Sequence, residues 1–164
     1  MGGTSSMHDR PVEARRIVVQ DNLFHDVQGV VAKLYSCEDC EFLDNDVTDT
    51  EGGVYFEDQS NAGPSGCPGG CGPSTGGRVT GNRFRRIAPF PGSASEGEAN
   101  VFVFLATTEA AGFSAGGNTY CVAAGTPARF GYGDLLDFAG WQAALGTDLD
   151  SNVYVDTDAP CQGW

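Results

Sequence analysis

Four short blocks of one type recur along the chain: "VVQDNLFHDV" at 18–27, "FLDNDVTDT" at 42–50, "RVTGNRFRRI" at 78–87 and "SAGGNTYCV" at 114–122. Each centres on an asparagine, namely Asn22, Asn45, Asn82 and Asn118. Two residues later stand Phe24, Val47, Phe84 and Tyr120; three residues earlier stand Val19, Phe42, Val79 and Ala115. The intervals between asparagines are 23, 37 and 36 residues, and the longer two read as the first plus an insertion. After the first three asparagines a small residue leads into a strand-like run: "QGVVAKLY", "EGGVYFED" and, past a long loop, "ANVFVFLA". A period of this length means stacked units, each of which buries its apolar face only against its neighbours.

Three short strands with their turns close one coil of a parallel β-helix in roughly 23 residues. The fold expected is therefore all-β, a right-handed parallel β-helix of about four coils. An asparagine at a fixed turn of each coil stacks on the next about 4.8 Å away and forms an asparagine ladder. Composition agrees. With 24 glycines in 164 residues, long helices are disfavoured, while 40% hydrophobic residues still supply one core. One domain is expected. Twenty-two carboxylates against nine basic residues leave a net charge of −13, which repels phosphate backbones. Nucleic acid and anionic membranes are thereby poor partners. No apolar run approaches the roughly 18 residues a bilayer span requires.

The blocks resemble the right-handed parallel β-helix, or pectin-lyase-like, superfamily, and "LLDFAGWQAALGTDLDSNVYVD" at 135–156 is similar to the W-Q-A-A-x-G-x-D-x-x-S segment that often closes such chains. The resemblance spans residues 17–158. It implies an extracellular protein acting on or binding polysaccharide, a class that holds lyases, hydrolases, esterases and adhesins on one scaffold. Catalytic members carry about twice as many coils, so the chain reads as the carboxyl-terminal part of a longer enzyme.

Residues 1–16 read as a polar lead-in or tag remnant, 17–134 as the coils, and 135–164 as a helix and tail bracing the last coil. Loops 60–77 and 88–100, rich in Gly, Pro or Ser, leave the coils as insertions. Asp137 suits a helix N-cap, Gly146 a stop, and Trp141 a core anchor. Nothing comparable covers the amino end, so self-association through the coil beginning at Ile17 is an alternative function. Cys37, Cys40, Cys67 and Cys71 are expected as neighbours, either in two disulfides or as a Cys₄ zinc site. A bond between the remaining Cys121 and Cys161 would tie the tail to the last coil.

For chemistry, aligning the coils on their asparagines puts Val31, Tyr55 and Phe102 in one outer column and Lys33, Glu57 and Phe104 in another. Tyr55 and Phe102 are candidate sugar platforms, with Glu57 beside them, and Lys33 with Glu57 reads as a cross-coil ion pair. A lyase needs a base and a cation on the uronate carboxylate; His25, Lys33, Arg83 and Arg85 are the catalytic candidates. Asp21, Asp44 and Asp46 are candidate Ca²⁺ ligands, although "DNDVTDTE" lacks the Gly and terminal Glu of an EF-hand loop. A Ca²⁺-dependent lyase or a glycoside hydrolase is the remaining alternative.

Overall fold

The computed structural model describes residues 14–57, 73–87, 101–106 and 110–162. Within them the chain is all-β with one α-helix, and successive passes of the backbone lie on one another strand for strand. The first rung is β1 (Ala14–Arg15), β2 (Val18–Gln20) and β3 (Leu23–Tyr35). Parallel to these lie β4 (Cys37–Glu38), β5 (Glu41–Leu43) and β6 (Asp46–Glu57). The third rung bridges Thr75 to Glu38 and continues as β7 (Arg78–Thr80), β8 (Arg83–Ile87) and β9 (Val101–Leu105). The fourth is β10 (Ser114–Gly116), β11 (Thr119–Val122) and β12 (Arg129–Tyr132), again parallel to the rung before.

The tail then closes the stack. β13 (Asp134–Leu136) turns back antiparallel on β12, α1 (Phe138–Leu145) follows, and β14 (Asn152–Val155) returns parallel to β11. The Asp137 carboxylate caps the helix by accepting from Gly140 N at 2.8 Å, and Gly146 ends it at φ 64°.

Between the sheets the core is aromatic. Phe24 stacks on Phe42, Phe42 on Phe84 and Phe84 on Tyr120, at centroid distances of 5.9, 6.3 and 5.5 Å. The column ends on Phe130 and the fully buried Trp141. Each such ring removed from water stabilises the fold by about 1.5–3 kcal/mol, so packing between rungs dominates over any single polar contact.

Charge is layered as well. Residues 37–57 hold eight carboxylates and no cation, whereas 73–87 hold four arginines and no carboxylate. The two rungs face each other, and Arg78 meets Glu41, Arg83 meets Asp46, and Arg86 meets Asp49. On its other side the acidic rung meets Arg15 through Glu38 at 2.8 Å and Lys33 through Glu57 at 3.7 Å. Exposed pairs contribute at most about 1 kcal/mol each, but a set in one register disfavours any other.

Several sequence expectations change here. The stack already includes Ala14 and Arg15, ahead of Ile17, and Ser74 and Thr75 also belong to it, so the first insertion ends before residue 77. The tail also supplies a strand to the stack, which therefore continues beyond residue 134. Residues 1–13, the greater part of the first insertion at 60–72, and all of 88–100 lie outside the described residues, as do Cys67 and Cys71.

The outer columns shift too. One extra residue near Gly29, at φ 106°, moves the register of β3 on β6, so Tyr55 lies between Lys33 and Phe104 rather than between Val31 and Phe102. Opposite β12, strand β9 also skips a residue, from Val101 facing Arg129 to Phe104 facing Gly131. Alternation breaks there, and Phe102 turns into the core against Phe84, Tyr120 and Phe130.

Candidate functional site

Two arrangements hold polar side chains in defined positions: the asparagine column inside the turn, and the outer face of the sheet formed by β3, β6, β8 and β11.

The turn before each asparagine needs a left-handed residue, and Asp21, Asp44, Gly81 and Gly117 fill it at φ 56°, 50°, 71° and 63°. Aspartate tolerates this region and glycine enters it freely. At Gly81 an added Cβ would also lie 2.1 Å from Asp44 Oδ1, so the Asp44 side chain would have to move aside. The turn aims each asparagine along the stack. Asn22 donates its backbone N–H and its Nδ2 to Asn45 Oδ1, both at 3.0 Å. Asn45 donates in the same way to Asn82 Oδ1 at 2.9 and 3.1 Å, and Asn82 to Asn118 Oδ1 at 2.9 and 3.1 Å. The asparagine-to-asparagine bonds are polar, all running toward the carboxyl end, while the Nδ2 groups of Asn45, Asn82 and Asn118 also donate back to the carbonyls of Val19, Phe42 and Val79 in the preceding rung.

At that end the tail supplies the acceptors. Ser151 Oγ takes the Asn118 N–H at 2.8 Å, and Asp148 Oδ1 takes its Nδ2 at 3.2 Å. Asp148 is buried and also accepts from Tyr120 Oη at 2.8 Å, from Trp141 Nε1 at 3.0 Å and from Ser151 Oγ. Burial and the neighbouring Asp148 charge push the Tyr120 phenol well above its ordinary pKa. Thr147 Oγ1 and Asp150 Oδ1 accept the N–H groups of Ala115 and Gly117. Asp148 and Ser151 were not singled out from the sequence as polar terminators. Their signal was present, since Val153 stands two residues after Ser151 as Phe84 does after Asn82.

On the outer face, His25, Thr48, Arg85 and Cys121 occupy one row, the row that sequence alignment assigns them. The next row holds Leu23, Asp46, Arg83 and Thr119. His25 is exposed, its Nδ1 2.9 Å from Asp26 Oδ2. Arg83 grips Asp46 through both Nε and Nη2, and Arg86 grips Asp49 in the same bidentate way, holding the Asp49 carboxyl below its usual range. Arg85, between these pairs, keeps its Nε buried with no hydrogen-bond partner among the described residues.

The remaining candidates separate. Lys33 meets Glu57 and lies 5.5 Å over the Tyr55 ring. Tyr55 and Phe102 are 1% and 2% exposed, so neither ring has a face open to stack on a sugar. Asp46 is engaged by Arg83, a cation that a Ca²⁺ ion would have to approach, and among the described residues no three His, Cys, Asp or Glu side chains converge on a metal position. Cys37 is bonded to Cys40 and Cys121 to Cys161. An oxidised pair offers no thiolate, so in this form Cys37 and Cys40 do not suit zinc. Among the described residues no helix is long and apolar enough to cross a membrane.

No protein-family model, curated protein or solved structure matches the chain.

Proposed function

We propose that the parallel stack is a right-handed parallel β-helix and that it serves as an extracellular glycan-binding module, with a carboxylated polysaccharide lying across the outer face of β3, β6, β8 and β11. The observation that carries this reading is Arg85, a half-buried guanidinium in the outer row whose Nε has no hydrogen-bond partner among the described residues, beside two arginines already neutralised by carboxylates. A carboxylate on a ligand would give the accessible side of this guanidinium a charge-assisted partner. Neighbouring rungs repeat at about 4.8 Å, close to the length of one sugar residue, so His25, Thr48 and Arg85 offer successive polar contacts along a chain. Engagement of Asp46 and Asp49 by arginine suits a binding face better than a reaction that needs a free carboxylate base. The disulfides are compatible with an oxidising compartment.

The test is a titration of carboxylated and neutral polysaccharides, with unsaturated products and reducing ends scored in the same samples. Binding of the carboxylated polymers alone, lost about tenfold in Arg85→Ala, is expected. Equal binding of neutral polymers, or an unchanged Arg85→Ala variant, would remove the basis for this face. Release of unsaturated product would instead mark a lyase.

A second reading has its own observation. Among the described residues β2 and β3 pair on one side only, which leaves an edge of the kind that supports assembly.

A further inference from the structure

The open edge is specific in its chemistry. Because the asparagine column is polar, the group it presents there is an acceptor: Asn22 donates to Asn45, while its own Oδ1 accepts nothing among the described residues. In every other rung that oxygen receives two N–H donors from the rung before. Beside Asn22 the outer positions are Val18 and Leu23, 52% and 64% exposed, where the next two rungs carry the Glu41–Arg78 and Asp46–Arg83 pairs. Ile17 and Phe24, from the interior column, are only partly buried.

Charge distinguishes this end further. The first rung, residues 14–36, holds Arg15, Arg16 and Lys33 against Asp21 and Asp26, which makes it slightly basic in a chain of net charge −13. On its other side it is already complemented by a rung with eight carboxylates and no cation, through Arg15–Glu38 and Lys33–Glu57. The first three rungs run basic, acidic, basic, so the layer that would continue this order at the amino-terminal edge is acidic.

These observations narrow the occupant. A second copy joined open end to open end would set acceptor against acceptor and cation against cation, with the strands running in opposing directions. A second copy joined head to tail would bring β14 and a turn whose Ser151 and Asp148 are already engaged with Asn118 and with each other, not a turn asparagine free to donate to Asn22.

Resting on the assembly reading above, we propose that the edge of β2 and β3 docks a parallel, acidic strand–turn–strand segment of another polypeptide, whose turn asparagine donates to Asn22 Oδ1. The segment extends the sheets of β2 and β3 by one strand each, covers Ile17 and Phe24, and sets carboxylates beside Arg15 and Arg16.

The acidic rung of this chain is a ready probe. A labelled peptide of residues 41–57, which carries Asn45 and no cation, is titrated against the full chain and followed by anisotropy. Saturable binding is expected, weakened roughly tenfold by Asn45→Ala in the peptide or by Asn22→Ala in the chain, and weakened by salt. Because a free peptide is not pre-formed as a rung, a second protein carries a copy of residues 37–57 inserted between Glu13 and Ala14. Its melting temperature is expected to rise, and the rise to vanish when the inserted asparagine is alanine. Either asparagine-dependent result supports the proposal. Failure of both overturns it, and so does a stable dimer of the chain alone that the peptide does not dissociate. That dimer would keep the assembly reading while replacing its partner.

Discussion

The two ends of the stack are built from the same turn, yet one is finished and the other is not. At the carboxyl end, Asn118 would present two N–H donors to the last layer, and the tail meets them with Ser151 Oγ and the buried Asp148 carboxylate. At the amino end, Asn22 presents an oxygen that no donor meets among the described residues, beside exposed Val18 and Leu23. The difference follows from the sign of the exposed groups. A buried N–H without an acceptor is seldom tolerated, whereas a carbonyl oxygen near solvent can take water at little cost. A repeat of this kind needs a dedicated terminator at its donor end, while its acceptor end can stay open.

The comparison breaks most readily at the terminator. Asp148→Ala removes the acceptor of Asn118, Tyr120, Trp141 and Ser151 together, and should destabilise the protein by about 4 kcal/mol or more in urea unfolding. Cys161→Ser frees the tail from Cys121, 40 residues away, and should cost about 3–4 kcal/mol by loop entropy in the same assay. Asn82→Ala, in the middle of the column, breaks bonds to Asn45, Asn118 and the Phe42 carbonyl and should cost about 3 kcal/mol. The same change at Asn22 removes only the Nδ2 bonds to Asn45 Oδ1 and the Gln20 carbonyl, next to solvent, and should cost less than about 1 kcal/mol. Equal losses at Asn22 and Asn82 would mean that the amino end is covered.

The smallest effect is acid sensitivity. Asp49 is held below its usual carboxylate range by the hydrogen bond from Arg86, so its contribution is full above about pH 4, the unfolded value, and is lost as pH falls through the folded one. Asp49→Asn should flatten the acid limb of stability slightly, because the pair is largely exposed.

Much of the fold was legible because the asparagine spacing fixes the register near each turn. Val19, Phe42, Val79 and the residues two after each asparagine occupy the interior as the repeat required, although Phe24, in the open rung, is only partly covered. Farther from the turn the register failed. One inserted residue near Gly29 and one near Phe102 shift the outer columns, and neither glycine content nor hydrophobicity marks such a bulge in advance. For that reason the sugar platform expected at Tyr55 and Phe102 is a buried tyrosine and a core phenylalanine. Arg85 was in view as an arginine among several, but its unpaired Nε depends on which neighbours its rung partners engage, a property of the packed sheet. The terminator was hidden because serine stands where the other rungs have asparagine, directly beside Asn152, a decoy of the expected type.

The most direct test of the contrast between the ends is residue-resolved amide hydrogen exchange on the intact chain. The amides of Asn45, Asn82 and Asn118 should exchange only through global unfolding, while the residues of β2 and Leu23–Val27 of β3 exchange at least about a hundredfold faster through local opening. Protection in the first rung equal to that in the third would contradict an open acceptor end.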